Sequence, residues 1–102
     1  MNLQNIVDDT SERICKGFLY AKYNEKYNLK IVITVEFRLN SKYVCKKKFG
    51  YICKNVSRRN DLKKIVNKCF DRLIYNITYR FVNDEFDKNA SVFITNVHFV
   101  VS

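Results

Sequence analysis

The chain is 102 residues long and 47% hydrophobic, with eight Phe and seven Tyr. That is material for one domain with one packed core, and too apolar for a disordered tail. A net charge of +9 points to a polyanionic or acidic partner, while no run of 18 apolar residues suggests a membrane span and the polar, acidic start does not read as a secretory leader.

Residues 3–14 place Leu3, Ile6, Val7 and Ile14 at near-helical gaps, which predicts a short N-terminal helix. Its acids could shield or dock onto basic surface elsewhere. Residues 14–23 then read as a first strand, because Phe18, Leu19 and Tyr20 favour β structure and Gly17 suits a bulge. The polar stretch 24–28 has hairpin length. Residues 29–40 carry the strongest strand signal. Leu29, Ile31, Ile33, Val35, Phe37 and Leu39 alternate with Lys30, Val32, Thr34, Glu36, Arg38 and Asn40, so one face is buried and the other wet. Asn40-Ser41 supplies a tight turn.

Residues 43–53 form the third predicted strand. Tyr43, Cys45, Phe49, Tyr51 and Cys53 share one parity. With Tyr43, Phe49 and Tyr51 toward the core, the favoured register, Lys46 and Lys48 point to solvent on an open sheet face. A bulge that reversed the register would instead give an aromatic–basic face. Next comes the clearest helix, residues 61–79. Leu62, Ile65, Val66, Cys69, Phe70, Leu73, Ile74 and Ile77 fall at alternating gaps of three and one, a single face at 3.6 residues per turn. Asn60 is the expected N-cap, and Asp61 suits the positive end of the helix dipole. Lys64, Lys68, Arg72, Tyr75 and Tyr79 gather opposite the apolar stripe, with Asp71 beside them. Residues 83–89 are an acidic loop. Residues 91–101 read as a last strand, with Phe93, Val97, Phe99 and Val101 on one side and Ile94, Asn96 and His98 on the other. Apolar residues on both sides suggest a central or dimer-buried strand.

The predicted order is (α)-β-β-β-α-β. The fold class is α+β, a small two-layer domain with an antiparallel sheet of about four strands and one long amphipathic helix covering one face.

Catalysis finds little footing. The one histidine, His98, lies in a predicted strand. The carboxylate clusters, Asp8-Asp9 and Asp84-Glu85 with Asp87, fall in terminal or loop segments. Gly17 and Gly50 are too far apart to form a phosphate-cradling loop. No enzyme activity and no cofactor are expected. Cys45 and Cys53 are eight apart, and no C-x-x-C or H-x-x-x-H spacing occurs, so no metal site is expected. Cys69 fits the helix core stripe. The four thiols, with Cys15, are expected to be reduced in a cytoplasmic or nuclear protein. The triplets starting at Asn55, Asn76 and Asn89 match the N-glycosylation pattern and read as chance in a chain with 12 Asn.

Charge is unevenly placed. Residues 1–12 carry net −3, residues 13–80 hold 18 basic and 4 acidic side chains, and residues 81–102 carry net −2. Phosphates call for several simultaneous Lys or Arg contacts. The candidates are Lys46, Lys47 and Lys48, then Arg58 and Arg59 beside the helix start with its free N–H groups, then Lys63, Lys64, Lys68 and Arg72 on the helix. Tyr75 and Tyr79 could stack on bases. Any surface helix presents a charged outer face, so the helix alone does not decide the matter.

Strands followed by a basic helix superficially resemble the double-stranded-RNA-binding domain, in which basic residues at the start of the last helix hold phosphates across a groove. Arg58-Arg59-Asn60 stands in the comparable place. The family's Lys-Lys-x-Ala-Lys signature and Gly-Pro-x-His loop are missing, and a further strand follows the helix, so membership is not assigned.

These features predict a small basic nucleic-acid-binding accessory protein, RNA- or DNA-binding, such as a viral protein that sequesters nucleic acid or suppresses host defence. Heavy use of Asn, Lys, Ile, Tyr and Phe matches an A+T-rich coding sequence, a bias of many viral and parasite genomes. The alternative is a non-enzymatic interaction module, a host-factor antagonist that binds an acidic protein partner. An open sheet face also raises the expectation of a homodimer.

Overall fold

The computed structural model describes residues 3–102. Two helices and three strands follow in the order α1 (Leu3–Gly17), β1 (Tyr27–Leu39), β2 (Lys42–Val56), α2 (Leu62–Val82) and β3 (Ser91–Val101). The domain is α+β, and the sheet order is β2-β1-β3, antiparallel throughout.

β1 organises the domain because its alternation is unbroken. Leu29, Ile31, Ile33, Val35 and Phe37 are all fully buried. They point into one core with Val7, Ile14 and Phe18 of the N-terminal region and Val66, Phe70 and Leu73 of α2. Both helices therefore cover the same face of the sheet. α1 lies along β3, where Arg13 donates to the Val97 carbonyl at 3.3 Å and Gly17 lies against the Phe99 ring. α2 lies over β2, where Asn76 donates to the Tyr51 hydroxyl at 2.8 Å. The other face of the sheet is open.

Asn40 and Ser41 make the two-residue hairpin turn, both with positive φ (53° and 64°), which matches a primed turn and the right-handed twist of its strands. α2 starts one residue later than the cap expected from sequence. Asp61, not Asn60, is the N-cap and accepts from the Lys64 N–H at 3.2 Å. Asn60 instead accepts from the backbone N–H of Ser57 at 2.7 Å. At the far end Asp84 takes a left-handed conformation. The N–H groups of Asp84 and Glu85 then donate to the Phe81 and Arg80 carbonyls, a Schellman closure. Phe86 stacks on Phe37 at 4.0 Å and holds the following acidic loop against the end of the sheet.

Three further sequence expectations are corrected. Residues 14–23 are not a strand, so the sheet has three strands rather than four. Ile14 and Phe18 are both buried, four apart, and the Phe18 N–H donates to the Ile14 carbonyl at 3.1 Å. Helical spacing wins there over the β propensity of Phe and Tyr, and Tyr20 is left 93% exposed. Tyr43 and Phe93 leave the core face. Register shifts after Phe37 in the β1–β2 pairing and after Thr34 in the β1–β3 pairing each insert one residue, and one extra residue reverses every side chain beyond it. Finally, β3 is an edge strand rather than a central one. β1 is the strand with two neighbours, and that place belongs to the strand whose core face is apolar without a break.

Candidate nucleic-acid interface

Antiparallel partners share a face, so the register fixes what the open face carries. From β1 come Lys30, Val32, Thr34, Glu36 and Arg38. From β2 come Lys46, Lys48, Gly50 and Ile52, opposite Glu36, Thr34, Val32 and Lys30 in turn. Lys54 continues that alternation. β3 supplies Asn96, His98 and Val100. Lys30, Lys46, Lys48 and Lys54 are exposed, and none of them forms an ion pair among the described residues.

Glu36 is the one acid on this face, and it is not free. Arg38 donates to its carboxylate at 2.9 Å, and that bond, reinforced by the positive charge of Arg38 and Lys46, holds the carboxyl below its ordinary range. Arg38 in turn lies 4.5 Å from the centre of the Phe93 ring. The Arg38–Glu36 pair cancels internally and leaves four lysines. Gly50 opens a gap between them. A Cβ there would meet the Lys30 side chain at 3.7 Å, so Lys30 leans across the gap toward β2. Along β2, Lys46 and Lys48 are ~7 Å apart, and Lys46 to Lys54 spans ~26 Å. At 3.4 Å per step, that reach covers about eight phosphates of one duplex strand.

The other candidate residues lie elsewhere. Arg58 and Arg59 sit in the turn before α2, both exposed and each with a contact in the chain. Arg58 donates to the Ala21 carbonyl at 3.2 Å, and Arg59 lies 5.6 Å from the Tyr23 ring. Lys63 pairs with Asp8 of α1 at 3.3 Å, so one acid of α1 does dock onto a basic helix position. Arg72 lies 4.9 Å from the Tyr51 ring. Lys64, Lys68, Tyr75 and Tyr79 are exposed on the outer side of α2, with Asp61 and Asp71 on the same helix turns. That side faces away from the sheet. Lys47 has the covered-face parity of β2, opposite Val35, and is exposed on this edge strand.

The eleven residues singled out from sequence therefore do not form one cluster. Phe49 lies by Arg80, near the end of α2, and Cys53 lies by Cys69, so β2 and α2 run in opposite directions. Lys46, Lys47 and Lys48 sit at one end of the pair and Arg58 and Arg59 at the other. Lys54, though part of the basic stretch from Lys42 to Lys64, and Lys30 were not among the candidates from sequence, since their neighbours in sequence are not basic. The available signal was strand parity combined with the hairpin register set by Asn40-Ser41.

Among the described residues no group of three or more His, Cys, Asp or Glu side chains could hold a metal ion, and no helix is long and apolar enough to cross a membrane. No family model, curated protein or solved structure matches the chain.

Proposed function

We propose that the open sheet face binds nucleic acid, with Lys30, Lys46, Lys48 and Lys54 contacting phosphate oxygens. The observation that carries this reading is the convergence of four unpaired lysines from adjacent strands onto one surface whose single acid is already neutralised by Arg38. Lysines on an edge strand also discourage strand pairing between molecules. That explanation covers β2, but not Lys30, which stands on the central strand. Asn96 and His98 are side chains of the face that could reach bases, while Arg38 already engages Phe93 and the four lysines contact the phosphate backbone alone. Binding of this kind is sequence-independent, which suits sequestration of RNA or DNA by an accessory protein. Lys64 and Lys68, with Tyr75 and Tyr79, form a second and weaker basic surface on the reverse side.

Ile52 and Val100, 57% and 46% exposed among these lysines, favour a second reading. An acidic protein with apolar residues of its own would cover them, whereas a phosphate backbone would not. Fluorescence anisotropy with labelled single- and double-stranded RNA and DNA, at low and high salt, separates the two. The nucleic-acid reading expects salt-sensitive binding that is lost when Lys30, Lys46, Lys48 and Lys54 are changed to Ala. A folded wild-type sample that binds none of the four probes would sink it and leave the acidic protein.

A further inference from the structure

The chain has four free cysteines, and two of them meet. Cys53 of β2 and Cys69 of α2 place their sulfur atoms 3.8 Å apart, across the seam between the sheet and the helix that covers it. Cys15 on α1 is exposed and Cys45 is half-buried. Cys45 lies eight residues from Cys53 on the same strand, roughly 26 Å away, so it cannot compete for either sulfur. A disulfide needs its sulfurs about 2.05 Å apart. Rotation of the two side chains has less than 2 Å to close, with both elements already packed together.

We propose that Cys53 and Cys69 are a thiol pair that a low-molecular-weight disulfide, such as glutathione disulfide, oxidises to an intramolecular bond stapling α2 to β2. Cys53 is the half-exposed member and Cys69 the buried one, so Cys53 reacts first. As thiolate it attacks one sulfur of glutathione disulfide. A Cys53–glutathione mixed disulfide forms, and one glutathione leaves as thiolate and takes up a proton. The Cys69 sulfur, after losing its proton, attacks Cys53 Sγ, forms the Cys53–Cys69 bond and expels the second glutathione. Two protein thiols have lost two electrons and two protons, and one glutathione disulfide has become two thiols.

Burial, with Cys53 close by, pushes the Cys69 thiol up to about 12. The groups facing it are Cys53 and Tyr51 from β2 and Arg72 from its own helix. The closing step is therefore slow at neutral pH and quickens as pH rises. A thiol held in its neutral form also does not stabilise the reduced state as a low-pKa thiolate would, so the bond, once made, resists reduction. The inference is independent of the nucleic-acid reading, because neither sulfur lies on the open face.

The test is oxidation of the full chain in glutathione buffers of graded poise, followed by alkylation of the remaining thiols and mass mapping of unreduced peptides. The expected result is a monomer that has lost two of its four alkylatable thiols and carries a Cys53–Cys69 peptide. Its urea midpoint should lie roughly 1 M or more above that of the reduced chain, as expected for closing a loop of about 16 residues. A Cys15→Ser/Cys45→Ser variant should behave in the same way, and Cys53→Ser should form no internal bond. A stable glutathione adduct on Cys53 that never closes, or links made only through Cys15 or Cys45 between molecules, would overturn the proposal.

Discussion

The salt dependence of binding tests the lysine face most directly. If four lysines each displace a condensed counterion, the plot of log Kobs against log salt has a slope of about −3.6 on duplex DNA and about −2.8 on a single strand. Raising salt from 50 to 200 mM then weakens binding roughly 150-fold on the duplex and roughly 50-fold on the single strand. Changing Lys46 and Lys48 to Ala removes two of the four contacts. The duplex slope should fall by about 1.8 and the same change in salt should then cost roughly 12-fold. Both side chains are exposed and make no ion pair among the described residues, so the fold should be unaffected, as thermal unfolding can verify. The control is Lys64→Ala/Lys68→Ala, which removes two exposed charges from the reverse side and should leave the slope nearly intact. Anisotropy titrations at five salt concentrations measure all three proteins. Equal slopes for the two variants would refute the assignment to the sheet, because total charge rather than its placement would then govern binding.

Four further outcomes follow from the packing. The Thr10 hydroxyl is the one buried side-chain polar atom without a hydrogen-bond partner among the described residues. Thr10→Val keeps the shape and should raise stability by about 1 kcal/mol in urea unfolding. Ser41→Gly relieves a left-handed residue in the hairpin turn and should add about 0.5 kcal/mol by the same assay, the gain being offset in part by the greater freedom of an unfolded Gly. Leu73→Ala, at a fully buried position, should lose about 2–5 kcal/mol, while Ile74→Ala, one residue on and 45% exposed, should lose under about 1 kcal/mol. Glu36 and Asp8 are both held below their ordinary values of 4.5 and 3.8, chiefly by hydrogen bonds from Arg38 and from Gln4 with Lys63. Their contribution is complete above those values and lost as pH falls through the lower folded ones, because the unfolded chain binds more protons there. The urea midpoint should therefore drop below about pH 4.5, and less steeply in Arg38→Ala.

Where local pattern and tertiary context agreed, the fold was legible. The alternation from Leu29 to Phe37 and the three-and-one spacing of α2 located the central strand and its covering helix, and Asn40-Ser41 located the turn. α1 was legible as far as Ile14, and its last three residues were hidden by the β propensity of the aromatic residues that follow. Within it Thr10 and Ser11 occupy core positions. Ser11 does so by donating to the Val7 carbonyl at 2.7 Å, a bond that a scan for apolar residues does not register. Tyr43 and Phe93 were misplaced because a bulge leaves no mark in a hydrophobic pattern. The candidate site was half legible. Lys46 and Lys48 were placed on the open face, but the run of basic residues in sequence suggested a cluster that antiparallel packing separates. Lys30 joins the face only through the register of two strands.

The central place of β1 carries a consequence for how the chain reaches this structure. Its pairing with β2 needs only a two-residue turn and closes at little entropic cost. Its pairing with β3 must wait for a strand that lies beyond the whole of α2. The hairpin can therefore form early, with β1 showing bare backbone groups along one side until β3 arrives. During that interval the apolar face of β1 is protected only by whatever α1 and α2 already cover, and the bare side can accept a strand from another molecule. Folding speed should respond more to changes in β3 than its modest burial suggests, since this distant pairing sets the contact order of the domain.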